Sequence, residues 1–205
     1  MAGRYSEHAL RLLATGAPVI VFDTETTGLP SDTTPLPKVW EIASIRLDRA
    51  GGREEKRATI NIGEPIPREA LVAGKDLDPE LPMKEGKEPS LVWGRFAAYA
   101  VDSIFVGHNI LKFDNPLVAA ACARLGIVPP LQTIEPSLCI DTMLLAQELF
   151  PRGQSGSPEN HRLGTLAGFF SIERPDDLHR ALADTRLTEL VFRALVDRAG
   201  GPKLD

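Results

Sequence analysis

Residues 19–22, Val-Ile-Val-Phe, form a continuous run of β-branched and aromatic side chains that ends directly in Asp23-Thr-Glu25-Thr-Thr-Gly28. An uninterrupted apolar run of this kind is the pattern of a buried strand. Side chains two apart on a strand point to the same face. Asp23 and Glu25 therefore share a face at the C-terminal end of that strand, where both carboxylates can reach one cation. The other reading of the same residues is a polar turn that closes the strand. Thr26-Thr27-Gly28 turns the chain, and Gly28 is expected at a backbone position awkward for other residues.

The rest of the chain arranges itself around this strand. Residues 6–15 read as a short amphipathic helix with Leu10 and Leu13 on one side. Residues 31–38 read as loop, 39–47 as a second strand, and 57–62 as a third after the Gly51-Gly52 turn. Residues 63–90, rich in Pro, Gly and charge, read as a long loop with one helical turn at most. A helix is expected over 90–100 with Ser90 as its N-cap, then a short strand over 103–106. A helix over 115–125 follows, with Pro116 in its first turn and Gly126 past its end. Asp141 is expected to cap a helix that runs to Leu149, and helices over 163–170 and 181–198 complete the chain. Three strands with turn-length links, then alternating helix and strand, give an α/β fold: a mixed sheet with helices on its faces. With 205 residues, 43% of them hydrophobic, there is enough apolar material for one sizeable core. The expected organisation is an N-terminal helical lead-in over 1–17, one domain over 18–199 and a short tail over 200–205.

Three more charged positions stand out. Asp114 ends Gly107-His108-Asn109-Ile-Leu-Lys-Phe113-Asp114 and falls near a helix start, where Asp also serves as an N-cap. His179 and Asp184 lie five apart in His-Arg-Ala-Leu-Ala-Asp. On one continuous helix that offset is about 140°, so the pair would meet poorly. His179 is therefore expected just before the helix and Asp184 about a turn inside it. Asp184 could also be a solvated neighbour of Thr188 at i, i+4.

Four carboxylates brought together repel and shift one another's pKa, which is costly unless divalent cations fill the cluster. Oxygen-only ligands suit hard ions such as Mg²⁺ or Mn²⁺. Two such ions about 3.5–4 Å apart serve in-line displacement at phosphorus. A histidine adds a general base whose pKa lies near the working pH. The formal net charge of -5 disfavours extended binding of duplex through phosphate neutralisation. It is compatible with a small site that grips one strand end through bound cations. Cys122 and Cys139 form no CxxC pair and no disulfide framework, which fits a reducing cytoplasm. The N-terminus has no continuous apolar segment of the signal-peptide kind, and no apolar run is long enough to span a bilayer.

The runs FDTETTGL, GHNILKFD and HRALAD resemble the three motifs of the DnaQ-like DEDDh 3′–5′ exonuclease family, which includes the epsilon proofreading subunit of bacterial replicative polymerase. KVWEIASIRL, LCIDTMLLAQELFP and HRLGTLAGFFSI are similar to that family too, so the resemblance spans roughly residues 18–195. It implies a ribonuclease-H-like fold and a two-metal exonuclease. It implies Asp23, Glu25, Asp114 and Asp184 as metal-site acids and His179 as general base. By the same resemblance Thr26, Thr27 and Leu29 lie against the terminal nucleotide and Glu69 near the substrate; Gly28, His108, Asn109 and Phe113 are further candidate substrate contacts. Leu29 would wedge the last bases apart; packing over the sheet edge is its other reading. His108 and Asn109 would orient the site or be satisfied loop polars.

The chain departs from the pattern at one place. Several relatives carry a histidine about five residues after the acid at Glu69; here the stretch is Glu69-Ala-Leu-Val-Ala-Gly-Lys75. Lys75 reads as a solvated lysine, with a phosphate contact as its alternative. By resemblance only, the DTETTG form of the first motif leans towards the DNA-processing branch, and the expected partner is the 3′ end of single-stranded DNA, in proofreading or repair. A short-RNA exoribonuclease and a non-catalytic nucleic-acid-binding module of a polymerase complex are the alternatives. A polymerase-subunit contact is a possible partner, although the short segment after residue 198 leans towards a stand-alone enzyme. Asp141 reads as a helix cap rather than a fifth ligand. Trp40, Trp93, Phe169 and Phe170 read as core, and Gln147–Phe150 as helix packing rather than a clamp-binding peptide.

Overall fold

The computed structural model describes residues 3–29, 36–71, 77–173 and 180–203. Strand β1 (Val19–Thr26) pairs antiparallel with β2 (Val39–Leu47), and β2 pairs antiparallel with β3 (Arg53–Thr59). On the other side of β1, β4 (Ile104–Gly107) and then β5 (Cys139–Asp141) run parallel to it. The sheet order is β3-β2-β1-β4-β5, which places the acid-bearing strand at its centre. Alternate side chains of β1 feed two cores. Val19 and Val21 pack with α1 (Arg4–Ala14), α5 (Thr142–Leu149), α6 (Leu163–Phe169) and α7 (Ala181–Arg198). Ile20 and Phe22 pack on the opposite face with α3 (Pro89–Tyr99) and α4 (Asp114–Arg124). A short helix, α2 (Leu81–Glu85), lies in the segment expected to be mostly loop. The mixed sheet with helices on both faces is the expected architecture.

The two edges are protected differently. β3 reads Arg-Glu-Glu-Lys-Arg-Ala-Thr, a charged strand that resists pairing with another chain. β5 is covered by α1. The backbone N–H of Asp141 donates to Tyr5 Oη at 2.7 Å, and His8 Nε2 lies 3.2 Å from the carbonyl of Cys139. Helix α1 is itself tied down, because Glu148 accepts from the backbone N–H groups of Tyr5 and Ser6 at 2.9 and 2.7 Å. Gly3 makes room for that carboxylate: a Cβ there would collide with it.

Several local expectations are corrected. β3 begins at Arg53, not at residue 57, because the Asp48–Gly52 hairpin turn sets Leu47 opposite Arg53. Its charge reflects an edge position and hides the strand from a hydrophobic-pattern reading. Glu88, not Ser90, caps α3 by accepting from the N–H of Leu91 at 3.0 Å, with Pro89 in the first turn. β5 was not anticipated; three residues between a 3₁₀ turn (Pro136–Leu138) and α5 carry little periodicity. Trp40 and Trp93 are buried, whereas Phe169 is 38% exposed.

Candidate active site

The C-terminal end of β1 carries Asp23 and Glu25 on the face covered by α7. Opposite Glu25 the β1–β2 register slips, so that Glu25 faces Glu41 while Thr26 faces Val39 and Trp40 is extra. Bulges of this kind bend a strand and re-aim its side chains. The Trp40 ring N–H donates to the carbonyl of Thr26 at 3.2 Å and holds the irregularity in place.

Asp184 is the fourth residue of α7 and lies in its first turn. That helix turns Thr185 and Thr188 into the interior, both buried. The reading of Asp184 as part of a solvated face shared with Thr188 therefore does not hold. Carboxylate oxygens of Asp23, Glu25 and Asp184 lie within 4.8 Å of one another, close enough to share a cation. His179 lies outside the described residues.

Asp114 arrives from the opposite side of the sheet, as the first residue of α4. It does not act as an N-cap; Phe113 holds that position. Its Oδ1 accepts from both the backbone N–H and the hydroxyl of Thr24, at 3.1 and 2.7 Å. Thr24 lies between Asp23 and Glu25, so Asp114 is bonded to the centre of the acidic end of β1. Burial first, and then the neighbouring charges of Asp114, Asp184, Glu25 and Glu41, push the Asp23 carboxyl well above the ordinary range. Burial likewise raises Asp114 to about 7, against the lowering effect of its bonds from Thr24. A set of oxygen donors that repel one another so strongly fits a hard divalent cation, whose charge would offset the repulsion.

The remaining candidates are less convergent. The turn after Glu25 is closed by the hydroxyl of Thr26 donating to the carbonyl of Gly28 at 2.7 Å. Reciprocal bonds between Thr27 and Lys38 at 2.9 Å join it to the start of β2. Gly28 has no left-handed backbone, and a Cβ there would meet nothing within 4 Å among the described residues, which corrects the expectation of a glycine-only position. Leu29 is 82% exposed, so packing over the sheet edge does not account for it. His108 and Asn109 turn towards the start of α5. His108 Nδ1 sits 2.9 Å from the Thr142 hydroxyl, and burial pushes its pKa down to about 4. Asn109 takes a left-handed φ of 61° and donates its N–H to Asp141. Phe113 packs partly buried against the α3–α4 core. Glu69 is exposed in a single 3₁₀ turn, Arg68–Ala70, and residues 73–75 lie outside the described residues. Asp141 is a helix cap, as expected: Oδ1 accepts from Met143 and Leu144 N–H at 2.9 and 3.3 Å.

Sequence reasoning missed Thr24, which fixes Asp114, and Glu41, a fully buried carboxylate in β2. The signal for Glu41 was available: an acid flanked by Val39, Trp40, Ile42 and Ala43 in a buried strand requires a partner.

Fold and cluster together define the class, an oxygen-donor site able to hold metal on a mixed sheet with helices on both faces. The exonuclease (RNase T) family matches residues 20–192, and the chain belongs to that family. It is 31% identical over 186 residues to a putative bifunctional exonuclease/endonuclease protein of Mycobacterium tuberculosis, covering 88% of this chain and 27% of that protein. It is 29% identical over 189 residues to a DNA polymerase III subunit epsilon-like protein of Rhodobacter capsulatus, covering 86% of this chain and 23% of that one. The chain thus spans about a quarter of the length of these relatives. E. coli exonuclease I, in a crystal structure with a dT13 oligonucleotide, superposes with a TM-score of 0.71 at 19% identity, covering 90% of this chain and 42% of that one. The fold is accordingly the ribonuclease-H-like fold that the motifs implied. Among the described residues, no helix is long and apolar enough to cross a membrane.

Proposed function

We propose that this chain is a metal-dependent 3′–5′ exonuclease that removes nucleoside 5′-monophosphates from the 3′ end of single-stranded DNA. The observation that carries the reading is the convergence of Asp23, Glu25 and Asp184, with carboxylate oxygens within 4.8 Å, beside an Asp114 fixed by Thr24. The oligonucleotide held by exonuclease I, a protein of the same fold, supports a single strand as substrate.

Asp23, Glu25, Asp114 and Asp184 would hold two divalent cations, Mg²⁺ or Mn²⁺. When bound, such ions supply a nucleophilic water at neutral pH and stabilise the charge of the leaving oxygen. Thr24 keeps the Asp114 carboxylate aimed at the cluster. His179 takes the proton of the attacking water at an imidazole nitrogen. Leu29, standing free of the protein surface, meets the terminal base. Thr26 and Thr27, already fixed by the turn, line the approach. With a net charge of -5, affinity resides at one strand end rather than along a basic groove.

The test is a 5′-labelled single-stranded oligonucleotide, DNA and RNA side by side, in Mg²⁺ or Mn²⁺. A ladder of shortened products that Asp184→Ala abolishes is expected. His179→Ala should slow it by about 10²–10⁴-fold. No ladder, or an undiminished one after Asp184→Ala, refutes the proposal; a ladder on RNA alone moves the substrate to short RNA.

A further inference from the structure

β2 contains Val-Trp-Glu-Ile-Ala-Ser-Ile, and its Glu41 is completely buried. A buried carboxylate is tolerated when its charge and lone pairs are met. Oε1 accepts from Arg57 Nε at 2.8 Å and from Arg180 Nη2 at 2.9 Å. Oε2 accepts from the backbone N–H of Ala181 at 3.0 Å and from Arg180 Nε at 3.3 Å. Arg180 thus presents a two-toothed fork to the carboxylate, the strong geometry for this pair. Arg180 is the N-cap residue of α7 and Ala181 is its first residue. Glu41 therefore grips both positions at which α7 begins. It also places negative charge at the helix end that favours it. With both oxygens engaged, Glu41 is committed to this grip, although it faces Glu25 across the strands.

The grip passes directly to the acidic cluster. The carbonyl of Arg180 accepts from the N–H groups of Ala183 and Asp184, at 2.9 and 3.1 Å. The residue clamped by Glu41 is the residue that anchors the backbone of Asp184. In sequence it also follows His179 directly.

We propose that the Glu41–Arg180 pair is a positioning device for the metal-binding acids, setting the start of α7 so that Asp184 meets Asp23 and Glu25. This rests on reading that cluster as a metal site. A merely structural ion pair would lower stability when broken but leave the folded protein's metal affinity alone.

The variants are Glu41→Gln and Arg180→Lys. They are compared with wild type by Mn²⁺ calorimetry, by amide exchange at Ala183 and Asp184, and by kcat and KM on a 5′-labelled oligonucleotide. Supporting groups behind metal ligands are worth about 10–100-fold in affinity or activity, and that loss is expected in Mn²⁺ binding and in kcat. KM should change by no more than about threefold, because the strand contacts are untouched. Amide exchange at Asp184 should quicken even without metal. A folded Glu41→Gln with wild-type Mn²⁺ affinity overturns the proposal, whatever its amide exchange. If Glu41→Gln does not fold, Arg180→Lys, which keeps the charge and loses the fork, decides by the same criteria. If wild type neither binds Mn²⁺ nor cleaves, the metal-site reading falls. The positioning proposal falls with it, whereas Mn²⁺ uptake by wild type that the variants match overturns the positioning proposal alone.

Discussion

Replacing Asp141 by alanine separates a structural carboxylate from a metal ligand in the same part of the fold. Asp141 is buried, and its Oδ1 takes the N–H groups of Met143 and Leu144 at the start of α5, and that of Asn109, the latter at 3.1 Å. Its Oδ2 takes a long bond of 3.4 Å from Leu111. The substitution removes an N-cap, which costs about 1 kcal/mol. It also strands the part-buried N–H of Asn109, at about 1–3 kcal/mol. The Leu111 bond is too long to add much, so the loss is about 2–4 kcal/mol. For a chain of this size each kcal/mol moves Tm by about 2–4 °C, so a fall of about 5–15 °C is expected. Thermal melts with EDTA and with Mn²⁺ provide the assay. The destabilisation should be the same in both, because the four hydrogen bonds that Asp141 accepts all come from backbone N–H groups. An unchanged Tm would refute the capping argument. A variant that loses the stabilisation conferred by Mn²⁺ would show that Asp141 belongs to the metal site after all.

Two further perturbations test other parts of the structure. His108, pushed down to about 4 by burial, stays neutral in the folded protein while the unfolded chain takes up a proton near 6.5. Its contribution is therefore present above pH 6.5 and lost as pH falls towards 4. Wild type should lose about 2 kcal/mol more than His108→Gln between pH 7.5 and 5, as measured by urea titration; parallel losses would contradict this. Glu148→Ala strips both N–H bonds from the start of α1 and should cost about 1–2 kcal/mol in the same titration, with metal binding unaffected.

The central strand and the identities of the acids were legible because their signals are local. A continuous β-branched run specifies a buried strand, and two acids two residues apart at its end share a face whatever lies around them. β2 and α7 kept the boundaries expected of them because long periodic segments fix their own limits. β3 was misplaced because an edge strand solvated along one side is patterned like a loop. Glu41 signalled only that it needs some partner, and Thr24 signalled nothing, for another reason. Their roles consist of bonds to residues 90 and 139 positions away, and no spacing within the strand encodes such a partner. Gly28 was misjudged because the Thr26 and Thr27 hydroxyls make the turn, leaving the glycine backbone unconstrained.

The central claim is that the acidic cluster at the end of β1 is a divalent-cation site. Its most direct measurement is Mn²⁺ titration by calorimetry of wild type, Asp23→Ala, Asp184→Ala and Asp141→Ala. Wild type and Asp141→Ala should take up Mn²⁺, and Asp23→Ala and Asp184→Ala should not. No uptake by wild type at millimolar Mn²⁺, or undiminished uptake after Asp184→Ala, would contradict it.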